Sequence, residues 1–142
     1  MKIKTANIFQ VFDVNARPAD VYDLLMTSEK HGAFTQKSAE INPIEGGSFA
    51  FCNRNHTGYF LKLVKNKQMV LAWTHRKFPR GHFSIVDITL ERNENGTTCV
   101  TLNHIGVPET CDGWLTEAWR KTYWEPMQTY VAAPAKEALE MA

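Results

Sequence analysis

The chain has 142 residues, of which 44% are hydrophobic and 22% charged, a composition typical of one folded domain and not of a disordered chain. Its formal charge of +1 is too balanced for a protein that binds nucleic acid through charge alone. No stretch is apolar enough to span a membrane, and the N-terminal residues alternate instead of forming the apolar block of a signal peptide. We therefore expect one domain over residues 1–142, a cytoplasmic location, and neither nucleic acid nor a membrane as partner.

The first predicted elements are a strand, a helix and a connector. Apolar side chains occur at both odd-numbered and even-numbered positions of Ile3–Val14, which predicts an opening strand with two partly apolar faces. Pro18 suits the first turn of a helix because no N–H is needed there, and the predicted helix runs through Leu25. The more polar stretch Thr27–Gln36 predicts a short helix or turn that crosses the sheet.

A meander of antiparallel strands is predicted next, because alternating apolar residues recur between strong turn signals. Glu45-Gly46-Gly47 and Asn95-Gly96 are typical of tight turns, since glycine reaches positive φ without strain. In one of the strands we place Tyr59, Leu61 and Leu63 on the same, inward face. The predicted strands lie at residues 48–52, 58–64, 69–75, 83–91 and 97–105.

The spacing of the apolar residues changes from two to four after Gly113. Large side chains recur at that spacing over Trp114–Val131, which predicts one long helix with an apolar stripe against the sheet. A straight α-helix would turn this stripe away by about 40° at every step of four residues, so a curved sheet or a kink is needed. We expect a bend or break at Pro126, which has no N–H for the carbonyl of Thr122.

Three segments together resemble a known family. They are Ala16–Leu25 in the first helix, the turn and strand Glu45–Phe49, and Gly113–Trp119 in the last helix. In this order the chain resembles the START-like or SRPBCC (birch-pollen-allergen-like) superfamily, in the branch of the activator homologues of the heat-shock-protein-90 ATPase. The resemblance implies an α+β helix-grip fold, with a curved antiparallel sheet of about six to seven strands around a long C-terminal helix. It also implies a hydrophobic pocket between them, which in relatives holds lipids, sterols, polyketides or other apolar molecules.

The side chains expected to face this pocket are mostly aromatic. Small-molecule sites are commonly apolar clefts of roughly 300 to 1,000 Å³ with a few polar groups. The leading hypothesis is a domain that binds a small hydrophobic or aromatic molecule, although the same side chains would also suit a solid core. The predicted ligand-binding residues are Phe51, Tyr59, Leu61, Trp73, His75, Ile88, His104, Trp119, Tyr123 and Met127.

An enzyme acting on a hydrophobic substrate, of the cyclase, dehydratase or hydrolase type, is the first alternative. His75, His104 or Tyr59 would then supply a proton. No carboxylate shares their predicted face to orient an imidazole, and the sequence has no nucleophile elbow, phosphate loop or zinc-binding helix. We assign no catalytic residue, and we expect no metal and no cofactor.

A protein-interaction domain is the second alternative, in which the outer face of the sheet or a basic hairpin binds a partner. A homodimer formed through a helix or an edge strand is consistent with this alternative. The co-chaperone after which the branch is named carries the related domain as one part of a longer protein, so a chaperone partner is the weaker inference. The basic side chains predicted to form one patch at one end of the sheet are Lys62, Lys65, Lys67, Arg76, Lys77 and Arg80.

Overall fold

An antiparallel sheet forms the larger part of the structure, as the alternation of apolar and polar side chains predicts. The structure, a computed structural model, describes residues 2–132. The strands lie in the order β1-β7-β6-β5-β4-β3-β2, and every neighbouring pair is antiparallel. They are β1 (Thr5–Val14), β2 (Glu40–Ile41), β3 (Ser48–Phe51), β4 (His56–Val64), β5 (Gln68–His75), β6 (Ser84–Arg92) and β7 (Thr98–Pro108).

Two short helices, α1 (Pro18–Met26) and α2 (Ser28–Thr35), connect β1 to β2. Pro18 occupies the first turn of α1, and the buried side of that helix carries Val21 and Leu24. Gln36 follows α2 with a left-handed φ of 58°. The predicted strand, helix and connector are confirmed, whereas β2 was not predicted because two residues are too short to show a period.

The C-terminal helix, α3, spans residues 112–132 and packs against the inner face of the sheet. Its first part, Asp112–Ala118, is α-helical, Trp119–Trp124 is π-helical, and residues 125–132 are α-helical again. The N–H of Glu125 donates to the carbonyl of Arg120, a bond that spans five residues. A break at Pro126 is therefore wrong, because the helix continues through the proline and its irregular segment precedes it, whereas the alternative of a bend there stays a prediction.

The π-helical segment accounts for the four-residue repeat of the apolar stripe. Because its hydrogen bonds span five residues, a π-helix has more residues per turn than an α-helix. A step of four residues then falls short of a full turn, so the stripe drifts in the opposite sense and offsets the drift of the α-helical parts. Leu115, Trp119, Tyr123 and Met127 follow this spacing, and all four are buried. The winding of the helix thus absorbs the drift for which the sequence suggested a kink.

The core lies between the sheet and α3, and it is built from rows of inward side chains. Met69, Ile88 and Leu102 form one such row across β5, β6 and β7, and all three are buried. Burying each side chain of this kind stabilises the fold by about 1.5–3 kcal/mol. No helix within residues 2–132 is long and apolar enough to cross a membrane. The architecture is the α+β helix-grip fold that the sequence predicted.

The turn between β3 and β4 has an unusual backbone. Cys52, Asn53 and Arg54 have successive φ values of 52°, 58° and 66°, a region that side chains other than glycine rarely adopt. The Asn53 side chain accepts a hydrogen bond of 2.9 Å from the N–H of Ser38, which holds the turn against the segment after α2. Arg54 forms an ion pair with Glu40 at the surface.

Candidate functional site

The space between the inner face of the sheet and α3, here called the chamber, is lined with aromatic rings. Trp73 of β5 lies 4.7 Å from His104 of β7 and 6.1 Å from Trp119 of α3, measured between ring centroids. Tyr123, one helical turn further along, lies 4.9 Å from Trp119. The structure thus brings together four of the predicted lining residues in a buried cluster.

Four other predicted residues lie around this cluster. Phe51, Ile88 and Met127 are buried. His75 is half-buried at the end of β5, with its ring 4.8 Å from the ring of Trp114. These residues face the chamber or its rim, as the parity of their strands and the helix stripe predicted.

The inward orientation predicted for Tyr59 and Leu61 is wrong. Their side chains are 52% and 50% exposed, on the outer face of the sheet. A β-bulge at Leu61 interrupts the pairing of β4 with β5 between Phe60 and Lys62, and the extra residue reverses the parity of the strand. Phe60 therefore faces inward before the bulge and Leu63 after it. If strict alternation is assumed and counted back from Leu63, Tyr59 and Leu61 are assigned to the inner face, which is the wrong one.

His104 is held neutral, in one tautomer, by a chain of hydrogen bonds. The indole N–H of Trp119 donates to Nδ1 of His104 at 3.0 Å, so the ring proton is on Nε2 and is donated to Ser84 Oγ at 2.7 Å. The Ser84 hydroxyl in turn donates to the carbonyl of Trp73 at 2.9 Å. Burial lowers the pKa of His104 to about 3. With both ring nitrogens bonded to neutral partners, this geometry gives no support to His104 as a proton donor.

A second buried histidine, His31 of α2, was not predicted from the sequence. Its Nδ1–H donates to the carbonyl of Leu25 at 2.9 Å, and its Nε2 accepts from the Tyr123 hydroxyl at 2.9 Å. Burial lowers the pKa of His31 to about 4 and raises that of Tyr123 well above its usual value. The sequence signal was weak: His31, Phe34 and Thr35 recur at helical spacing within an otherwise polar stretch.

The chamber is nearly filled by these side chains. A small cavity remains under α3, and it offers a water-sized molecule about 10 Å³, which is room for one water. The aromatic cluster therefore leaves no space of several hundred Å³ beneath the middle of α3. A cleft of about 500 Å³ lies instead at the end of the described part of α3, between Tyr130, Val131 and Leu24 of α1. A ligand of lipid or sterol size would fit among the clustered rings only if α3 moved away from the sheet. The small cavity is lined by His56, Trp73, Leu115, Ala118, Trp119 and Tyr123.

Two residues that line this cavity each carry a buried side-chain nitrogen without a hydrogen-bond partner among the described residues, although the surface of the cavity itself is apolar. These nitrogens are Nδ1 of His56 and Nε1 of Trp73. Burial, and to a lesser extent the neighbouring His75, lowers the pKa of His56 to about 3, so the ring is neutral. Buried polar groups nearly always have a partner, and an unpaired one destabilises a protein by about 1–3 kcal/mol. The sequence did not predict His56 as an inward residue, because the inner face of β4 was assigned to the odd-numbered positions such as Tyr59, whereas His56 and Phe60 are at even-numbered positions.

The groups considered as proton donors do not converge on one point. Tyr59 lies on the outer face, and His104 is bonded on both nitrogens. His75, at the rim, accepts a hydrogen bond on Nδ1 from the N–H of Lys77 at 3.0 Å. No cluster of three or more metal-ligating side chains occurs in the part of the chain that the structure describes. Within residues 2–132, the three predicted proton donors Tyr59, His75 and His104 therefore do not form one acid–base group.

The outer face of the sheet carries a row of apolar side chains. In the register of the strands, Ile105 pairs with Ile85, Ile85 with Ala72, and Ala72 with Tyr59. Ile105 is 47% exposed, and Phe9 of the edge strand β1 is 65% exposed. We define the outer patch as Phe9, Tyr59, Leu61, Phe83, Ile85 and Ile105.

The prediction that the basic side chains form one patch at one end of the sheet is wrong. Lys65 and Lys67 lie in or beside the turn between β4 and β5, whereas Arg76, Lys77 and Arg80 follow β5 at its other end. The eight residues of β5 separate the two groups by about 27 Å. These charges are neighbours along the chain but not in space.

The chain is similar in sequence to known proteins. Residues 15–132 match the family model described as Activator of Hsp90 ATPase homolog 1-like protein. The Activator of 90 kDa heat shock protein ATPase homolog 1 of Homo sapiens is 29% identical over 125 residues, which cover 88% of this chain and 37% of that protein. The chain spans less than about two fifths of the length of the curated relatives that it matches.

Solved structures share the fold. An HSP90 activator from Plasmodium falciparum has a TM-score of 0.80 and 16% identity, and the match covers 89% of this chain and 96% of that one. The Aha1 dimer from Colwellia psychrerythraea has a TM-score of 0.70 and 20% identity, with 82% and 90% covered. Since the family model matches from the end of β1 to the end of α3, the chain belongs to the family of Activator of Hsp90 ATPase homolog 1-like proteins.

Proposed function

We propose that this chain is a protein-interaction domain of the co-chaperone type, which binds an ATPase of the Hsp90 class through the outer patch. The family and the printed names of the relatives supply the class of partner. The observation that carries the proposal is the filled chamber beneath an exposed apolar sheet face. This reverses the order suggested by the sequence, in which binding of a small apolar molecule came first.

The composition of the outer patch supports a docking role. Large exposed apolar side chains that lie next to one another on a rigid element mark interaction sites, whereas isolated ones are ordinary. Tyr59 and Ile105 are joined across four strands by Ile85 and Ala72. Tyrosine is also a residue that often carries much of the binding energy at interfaces.

The dimensions of the sheet agree with those of an interface. The five longer strands, about 4.8 Å apart and at least eight residues long, present roughly 650 Å². Stable complexes bury about 800 Å² per partner. A groove of about 460 Å³, lined in part by Tyr59 and Phe83, extends this face to the ion pair of Arg54 and Glu40. A partner could thus contact an apolar centre and a polar edge together.

The test uses two tyrosines on opposite sides of the protein. Tyr59, on the outer face, is 52% exposed, and Tyr130, on α3, is 39% exposed. We expect Tyr59→Ser, alone or with Leu61→Ser, to weaken binding of the full chain to the Hsp90-type chaperone of its own organism at least tenfold in calorimetry. The stimulation of the chaperone's ATPase rate should fall in parallel. Tyr130→Ser should leave both unchanged.

Three outcomes would overturn this proposal. The first is no binding by the unaltered chain, and the second is equal binding by the Tyr59 and Tyr130 variants. The third is a stable dimer that Tyr59→Ser dissociates, measured by light scattering, because the outer patch would then be covered by a second copy. The dimeric Colwellia structure makes this last measurement necessary.

A further inference from the structure

The two edges of the sheet differ in length and in protection. One edge, β2, has only two residues, and Pro43 lies two positions after its end. Very short strands and prolines are means by which proteins prevent an edge from pairing with another chain. The other edge, β1, has ten residues with neither proline nor lysine among them, and its one charged side chain is Asp13. Among residues 2–132, no strand pairs with the outer edge of β1.

The backbone of β1 is regular, so its outer edge is suited to hydrogen bonding with another strand. The irregular pairing of β1 with β7, between Ala6 and Ile8, places the extra residue in β7. More exposed and less exposed side chains therefore alternate along the whole of β1. In an edge strand, every second residue directs its N–H and C=O away from the sheet. About five residues of β1 thus offer backbone groups that water or another strand must satisfy.

The side chains along this edge are apolar at the centre and oppositely charged at the two ends. Phe9 is 65% exposed and Val11 is 56% exposed, both on the outer face. Lys2 and Lys4 precede the strand, whereas Asp13 lies near its end, and all three are exposed. A second copy of β1 in antiparallel orientation would bring the lysines of one chain near Asp13 of the other. A parallel orientation would place the two Asp13 carboxylates side by side, which destabilises a strand pair.

A two-fold axis restricts the register of such a pair. Opposite residues of an antiparallel pair point to the same face, so the two outer faces match only if odd-numbered residues oppose odd-numbered residues. Pairing centred on Phe9 places this ring opposite its own copy, and it brings Lys4 of each chain near Asp13 of the other. Residues 5–13 of each strand then pair. A centre at Gln10 would separate the two Phe9 rings and move Lys4 away from Asp13.

We propose that β1 is a dimerisation edge, at which the β1 strands of two copies pair antiparallel around Phe9 and join two seven-stranded sheets into one. This surface differs from the one proposed for the chaperone, since the outer faces of both copies stay exposed and become continuous across β1. The paired residues 5–13, about 31 Å long in a sheet ~10 Å thick, bury roughly 310 Å² per copy, which is below the ~800 Å² of a stable complex. The dimer should therefore be weak and depend on concentration.

Sedimentation equilibrium of the full chain, from about 10 to about 500 µM, tests this proposal in the range expected for a weak interface. We expect reversible dimerisation. Phe9→Lys should raise the dissociation constant at least tenfold, because the two introduced charges face each other across the axis. Leu61→Lys, the same kind of change at a 50% exposed site four strands away, should leave the constant within twofold. A chain that stays monomeric throughout, or equal weakening by both variants, would overturn the proposal.

A mixture of two variants tests the register. Phe9→Lys and Phe9→Glu, mixed in equal amounts, should associate at least tenfold more tightly than either variant alone, since opposite charges then meet at the axis. A mixture that associates no better than the separate variants rejects pairing around Phe9. Tyr59→Ser should leave the dimer intact. Loss of chaperone binding in the Tyr59 variant and loss of the dimer in Phe9→Lys are therefore separate results.

Discussion

Three buried histidines should make the stability of this protein sensitive to mild acid. Burial lowers the pKa of His31 to about 4, and those of His56 and His104 to about 3, from an ordinary value of 6.5. Below pH 6.5 the unfolded chain therefore binds protons that the folded chain does not. The free energy of unfolding is highest above pH 6.5, and it falls as the pH is lowered from 6.5 towards 4 and then 3.

The size of this effect follows from the shifts. For each pH unit over which a histidine is protonated in the unfolded chain but not in the folded chain, the free energy of unfolding falls by about 1.36 kcal/mol. Each of the three histidines therefore reduces the free energy of unfolding by about 2 kcal/mol between pH 7.5 and pH 5. The three together remove about 6 kcal/mol, which is comparable to the 5–15 kcal/mol that stabilises a typical domain. Carboxylates add little in this range, because they titrate below it.

Urea denaturation at pH 7.5, 6.5, 5.5 and 5.0 measures this loss directly. The midpoint should fall steeply below pH 6.5, and His56→Phe should lose about 2 kcal/mol less than the unaltered chain over the same range. A free energy of unfolding that is constant from pH 7.5 to pH 5 would refute the reasoning, because it would mean that these imidazoles accept protons in the folded chain as easily as in water.

Three further changes test the site and the backbone. Tyr123→Phe should destabilise the fold by about 1–3 kcal/mol in urea, since it leaves His31 Nε2 without its donor; an unaltered midpoint would contradict this. Phe60→Ala should destabilise by about 3–5 kcal/mol and Leu61→Ala by less than about 0.5 kcal/mol, while the opposite order would disprove the bulge. Arg54→Gly should raise the free energy of unfolding by about 0.5–1 kcal/mol by relieving its left-handed backbone, and a lower thermal midpoint would refute that.

Much of the fold could be predicted from local patterns. Strand positions and the long helix follow from the spacing of apolar side chains, because burial of one face imposes a period of two or of nearly four. The errors occurred where one residue interrupts the period. The bulge at Leu61 inverted two assignments, and the π-helical segment Trp119–Trp124 replaced the break expected at Pro126.

The site was harder to predict, because its contacts join residues far apart in the chain. His31 and Tyr123 are 92 positions apart, and neither position indicates the other. Inward parity identified Trp73, His104 and Trp119 correctly as neighbours, but it could not show whether the space between them is open. That depends on how side-chain volumes add up in three dimensions, which a one-dimensional pattern does not record.

The π-helical segment Trp119–Trp124 also has a consequence for changes in chain length. In a regular α-helix, removing one residue rotates everything beyond it by about 100° and would turn the following side chains away from the sheet. A π-helical segment has extra residues per turn, so it can become regular α-helix when one residue is deleted. The side chains before and after the segment then still point towards the same sides of the helix. This stretch of α3 is therefore where we expect the helix to tolerate a one-residue deletion best.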